Sequence, residues 1–239
     1  MKNKSSFKAF TALTATTVVL TISGCATTDS NTGGDRFPSR YTATDGRIIE
    51  IGDRSAGDNG WKFNDPHLTR VWIASDFNFG GYDTIYITPT LSTAKLHGPD
   101  EEGPHQLAKE NLVIELARML RAKNIVANVV DREADIKPGA HTLKLENTII
   151  DYAKGGGAGR YFAGLFGGGQ PVLRVTGKMT DGDKTVLTFE ARRSGTSAGA
   201  RMVGAWMSDV DIQSEDIRSM NTDLSDFMAV VAGKYPPKN

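Results

Sequence analysis

The chain has 239 residues, with 28 basic and 28 acidic side chains, 26 glycines and a single cysteine. That balance disfavours nucleic acid or an anionic lipid surface as the main partner, and one cysteine allows neither a disulfide nor a thiolate zinc site. The length suffices for one sizeable core.

Residues 1–24 read as a targeting segment. Lys2, Lys4 and Lys8 form a basic start, and residues 9–22 form an uncharged core too short and too polar for a stable transmembrane helix. The core ends in Ile22-Ser23-Gly24-Cys25, which matches the lipobox of bacterial lipoproteins: an aliphatic residue, two small ones and a cysteine. On this reading the Cys25 thiol takes a diacylglyceryl group. The plainer alternative is a secretory signal with a chance cysteine. A single acyl chain holds a protein marginally and two or more hold it firmly, so no further membrane segment is needed. Ala26, rather than Asp, follows the cysteine, a pattern associated in Gram-negative bacteria with the outer membrane. Without residues 1–24 the chain keeps 25 basic and 28 acidic residues, a net charge of −3.

Residues 25–64 are rich in Thr, Ser, Gly, Asp and Asn and are expected to be a flexible tether of about 35 Å end to end, with a possible short strand at 47–51. The folded domain is expected over 65–239. Strands are predicted at 70–74 and 84–88, with a Gly80-Gly81 turn between them and Pro89 closing the second. A helix is predicted over 103–123, with Pro104 at its start and Asp100, Glu101 and Glu102 at the positive end of its dipole. Its apolar face holds Ala108, Leu112, Leu116, Met119 and Leu120, and Asn124 is the stop. A strand follows over 125–130, then a turn at Lys137-Pro138-Gly139. Leu143, Leu145 and Ile149 alternate with polar residues, as in a strand with one wet face.

Residues 151–169 interrupt this pattern. Eight of them are glycine, and Arg160, Tyr161, Phe162, Leu165 and Phe166 stand between the glycines. A phosphate cradle is the sharpest reading, but neither G-x-G-x-x-G nor the P-loop pattern is present. An inert glycine loop and a contact flap with an apolar tip both remain open. After it, predicted strands at 171–179 and 185–191 flank Asp181-Gly182-Asp183, a hairpin signal. Residues 194–207 are ambiguous, and a closing helix is predicted over 214–233.

The order Ile149-Ile150-Asp151-Tyr152, then Gly159-Arg160-Tyr161-Phe162-Ala163-Gly164, then Gly167-Gly168-Gly169, followed by Val172-Leu173-Arg174-Val175, resembles a bacterial lipoprotein family. That family is classed as a domain of unknown function, the four-four-one-zero family, and the resemblance spans residues 72–234. It implies an envelope location and no particular reaction.

The predicted elements add up to a single two-layer α+β domain, a mostly antiparallel sheet with helices packed on one face. Histidines 67, 97, 105 and 141 lie apart, without H-x-H or H-E-x-x-H spacing, and the serines at 194 and 197 lack a G-x-S-x-G elbow. No cofactor, metal site or catalytic set is expected. The expected function is a lipid-anchored periplasmic binding or scaffold lipoprotein at the outer membrane. Its membrane contact is the acyl chains on Cys25, and Arg160, Tyr161, Phe162 and Phe166 are the candidate surface for an envelope protein partner. Two alternatives stand beside it: self-association into an oligomeric pore or secretion complex, and an enzyme acting on envelope sugars or peptides.

Overall fold

The computed structural model describes residues 38–156, 170–195 and 208–238. Two short strands, β1 (Arg40–Thr42) and β2 (Ile48–Glu50), come first, followed by β3 (Arg54–Gly57), β4 (Gly60–Phe63) and β5 (Arg70–Ala74). β6 (Thr84–Ile87), β7 (Leu91–Ser92) and the helix α1 (Glu102–Lys123) come next. The chain continues through β8 (Asn128–Val130), β9 (Thr142–Ala153), β10 (Val172–Asp181), β11 (Lys184–Arg193) and the helix α2 (Asp209–Val231). β1 and β2 pair with each other, and the others form one sheet of nine strands in the order β3-β4-β5-β11-β10-β9-β6-β8, with β7 also on β9. β6 is parallel to β8 and β9, and β7 is parallel to β9; every other pair is antiparallel. This is the α+β domain the alternation and the helix periods predict.

The two periodicities build one core. In β9 to β11 the inward side chains are Leu143, Leu145 and Ile149, then Leu173, Val175 and Met179, then Leu187, Phe189 and Ala191, all essentially buried. Leu112, Leu116 and Leu120 of α1 and Met220, Leu224 and Phe227 of α2 recur at helical spacing and join the same cluster. The alternate side chains of these strands and of β4 and β5, Lys62, Trp72, Thr176 and Thr188 among them, point away from it. Among the described residues the two helices therefore cover one face of the sheet.

Local signals set the ends of the elements. Asn124 takes the left-handed conformation at φ 50°, and its amide bonds to the Arg121 carbonyl, as the expected stop. The helix begins slightly earlier than Pro104, behind a 3₁₀ turn at Pro99–Glu101. α2 begins five residues before the predicted start, because the Ser208 hydroxyl accepts the Asp211 amide at 3.1 Å and Asp209 and Asp211 suit the first turn. The strand expected at 125–130 is reduced to Asn128–Val130, although Ile125 and Val126 are buried. The β10–β11 hairpin turns at Gly182 and Asp183, with Asp181 opposite Lys184 and Gly182 at φ +54°.

One boundary is corrected. The stretch expected to be a tether, residues 25–64, holds β1 to β4 from Arg40 onward, so the fold starts well before residue 65. Its apolar residues are few, but Tyr41, Ile49, Ile51 and Phe63 are all buried, and the Phe63 ring meets Phe227 of α2 edge-on at 5.1 Å between centroids. Strands of three or four residues give too little alternation to stand out against a polar background. The strand anticipated at 47–51 is present as Ile48–Glu50.

Candidate functional site

Of the site residues expected from sequence, Cys25, Arg160, Tyr161, Phe162 and Phe166 all lie outside the described residues. What is described is the platform that carries the glycine-rich connection. Ala153 at the end of β9 pairs with Val172 at the start of β10, so this connection leaves and re-enters the sheet at adjacent points. Leu173 pairs in turn with Arg193, the last residue of β11, which places the start of the 194–207 connection at the same end. The chain therefore leaves β9 toward β10, and leaves β11 toward α2, at the same end of the sheet and side by side.

Buried polar groups hold both roots. Glu101, read from sequence as a dipole acid, is 8% exposed, and its carboxylate accepts the His97 amide at 2.6 Å and the Lys154 amide at 3.1 Å. One side chain thus ties the lead-in of α1 to the exit of β9. The Lys154 ammonium donates to Asp100 at 2.9 Å, and that hydrogen bond holds the Asp100 carboxyl below its usual range. On the other root, the Gly195 amide donates to Asp216 at 2.8 Å. Gly195 sits at φ +63°, and a Cβ there would lie 2.6 Å from the Gln170 side chain and 2.9 Å from Pro171, so only glycine lets the roots approach this closely. Under them Tyr152 is fully buried, its hydroxyl donating to Gln213 at 2.9 Å. Burial raises the Tyr152 pKa. The His105 ring stands edge-on to it at 4.9 Å and shares a hydrogen bond with the Ser92 hydroxyl at 2.9 Å. Burial lowers the His105 pKa, with Lys109 adding to the effect, which favours a neutral imidazole.

A second feature is the sheet face opposite the helices. Strand register lines up side chains across it in two rows. Lys62, Trp72, Thr188, Lys178 and Glu146 are successive partners across β4, β5, β11, β10 and β9. Arg70, Glu190, Thr176, Thr148 and Leu91 form the row beside it. A groove of about 650 Å³ lies over both rows. Glu190 is paired with Arg70 at 3.2 Å and with Arg174, while Glu146 is paired with Lys144 at 3.0 Å and Lys178 at 3.4 Å. Alternation in the sequence tells which residues face out along one strand, but only the register tells which of them meet.

A third cluster is structural. Asp226, 2% exposed, accepts from Arg47 at 3.1 Å, from the Tyr235 hydroxyl at 3.1 Å and from the Lys123 ammonium. Arg193 pairs with Asp223 and donates to the His67 carbonyl at 2.9 Å. Burial pushes the Asp223 and Asp65 carboxyls up, against the lowering effects of Arg193 on the first and of two backbone amides on the second. Among the described residues no three His, Cys, Asp or Glu side chains are grouped to hold a metal ion, and no helix is long and apolar enough to cross a membrane.

No family model matches the sequence, and no curated protein matches it. Among solved structures, the PelC dodecamer from Paraburkholderia phytofirmans is similar over 64% of this chain and 96% of that chain, at 17% identity and a TM-score of 0.40. A DUF330 protein from Xanthomonas campestris is similar over 64% of this chain and 86% of that chain, at 13% identity and a TM-score of 0.38. Likeness this distant carries no functional argument.

Proposed function

We propose that the protein is a lipoprotein of the bacterial envelope, anchored at the outer membrane through acylated Cys25 and facing the periplasm, which acts by binding a partner rather than by turnover. The observation that supports this most directly is the paired platform. Two connections have their roots at one end of the sheet, and these roots are fixed by Glu101, Asp216 and the close approach of Gly195 to Pro171. Recognition residues carried between the elements of a rigid scaffold are a usual arrangement of a binding surface. Arg160, Tyr161, Phe162 and Phe166 fall within one of these connections, and Tyr, Phe and Arg are types that concentrate at interface cores. The resemblance to the four-four-one-zero lipoprotein family agrees with this reading.

The test is a crosslinking pull-down from living cells with a photoreactive residue in place of Phe162. Capture of one envelope protein, lost when Arg160→Ala and Phe162→Ala are combined in a protein that still folds, is the expected result. Crosslinks only between copies of this chain would favour self-assembly. No crosslinks from a folded, anchored protein would reduce the glycine stretch to a plain loop.

A further inference from the structure

The helix-free face of the sheet has a composition that its fold does not require. Outward on β4, β5, β9, β10 and β11 stand six cations, Lys62, Arg70, Lys144, Arg174, Lys178 and Arg192, against three carboxylates, Glu146, Asp151 and Glu190. Glu146 and Glu190 are each shared between two of those cations, and Lys62 and Arg192 have no ion pair among the described residues. The face is thus locally positive on a chain whose net charge beyond residue 24 is −3. Such a patch attracts anionic ligands at short range.

Its aromatic residue is held as a platform. The Trp72 indole N–H donates to the Asp58 carbonyl at 3.2 Å, and the ring lies over Gly60, where a Cβ would come within 2.6 Å of the indole nitrogen. With its polar edge already satisfied, the ring offers only its apolar surface to the groove. Beside it stand three neutral hydroxyls: Thr148 and Thr176, in register across β9 and β10, and Thr188 in the neighbouring row. At about 4.8 Å between strands, the five-strand row from Lys62 to Glu146 is about 19 Å long.

We infer that this groove binds an acidic glycan, a chain of sugar rings carrying carboxylate groups. The indole supplies a stacking surface for the apolar face of a ring, the threonines meet its hydroxyls, and Lys62, Lys178 and Arg70 meet its carboxylates. An acidic protein partner fits less well. Among the described residues the two rows offer one exposed aliphatic side chain, Leu91, as an anchor point. The inference rests on described residues alone and does not depend on the role proposed for the glycine-rich connection.

The test is equilibrium binding of the full-length, detergent-solubilised protein to polygalacturonate, with neutral dextran and polyglutamate as comparison polymers. Polygalacturonate should bind most tightly, and more weakly as ionic strength rises. Trp72→Ala, and separately Lys62→Glu with Lys178→Glu, should each weaken binding about tenfold or more. The lysines are exposed, so the charge variant tests the site even if Trp72→Ala does not fold. Equal binding of polyglutamate would show charge attraction without ring recognition and overturn the inference. So would equal binding of dextran, binding untouched by either variant, or no binding of polygalacturonate.

Discussion

Asp226 joins three parts of the chain that are far apart in sequence: Arg47 in the β1–β2 turn, Lys123 at the end of α1 and Tyr235 in the C-terminal tail. A buried carboxylate in this position is stabilising only while its cations stay in place, and its removal strands the largely buried Lys123 ammonium, whereas Arg47 keeps Asp45. Asp226→Ala is therefore expected to cost about 3–5 kcal/mol, read as a lower urea midpoint with an unchanged slope. A loss below about 1 kcal/mol would mean that Lys123 finds water instead. None of this was legible from composition: Asp226 falls on the predicted helix as one polar residue among many, and nothing local marks it as buried. Glu101 is the same kind of case. Its neighbours Asp100 and Glu102 are exposed, and burial alone turns one of three adjacent acids into a clasp.

At the scale of elements, the β10–β11 hairpin was readable because both strands alternate cleanly and Gly182 supplies the turn. Gly177 within it was not readable. It stands inward opposite Phe189, and a Cβ there would lie 2.0 Å from the phenyl ring. The glycine is the space that the ring fills. Gly177→Ala should destabilise by about 1–3 kcal/mol through overpacking. Combining it with Phe189→Leu should cost less than the sum of the two single changes, since the second relieves the first. Strict additivity in a double-mutant cycle would show that the ring moves aside freely. The missed strands β1, β3 and β4 have the opposite cause: each is too short for a period to show, and β4, which holds β3, is itself paired to β5 later in the chain.

At the scale of the molecule, the sheet and its two helices were legible as a class, while the domain's extent was not. Residues 40–63 complete the core, so a chain beginning at residue 65 loses the buried side chains of Tyr41, Ile49, Ile51 and Phe63 together. Deletions of this size cost about 2–5 kcal/mol each, against a total stability of about 5–15 kcal/mol. Such a chain should show no cooperative thermal transition by circular dichroism, whereas one beginning at Asp35 should melt sharply. A cooperative melt of the shorter chain would return residues 40–63 to the status of a tether.

β1 lies between β2 and the C-terminal tail. The Thr42 amide donates to the Pro236 carbonyl at 3.0 Å and the Lys238 amide to the Arg40 carbonyl at 2.9 Å. Under the anchoring proposed through Cys25, this arrangement would be mechanical. Tension arriving through Pro38 along β1 meets hydrogen bonds that lie across the strand, so they bear the load together, in shear, instead of parting one at a time. Part of that force passes through the tail to Tyr235 and Asp226, and so into α2 before it reaches the sheet. The last residues of the chain act as the strap that keeps its beginning fastened.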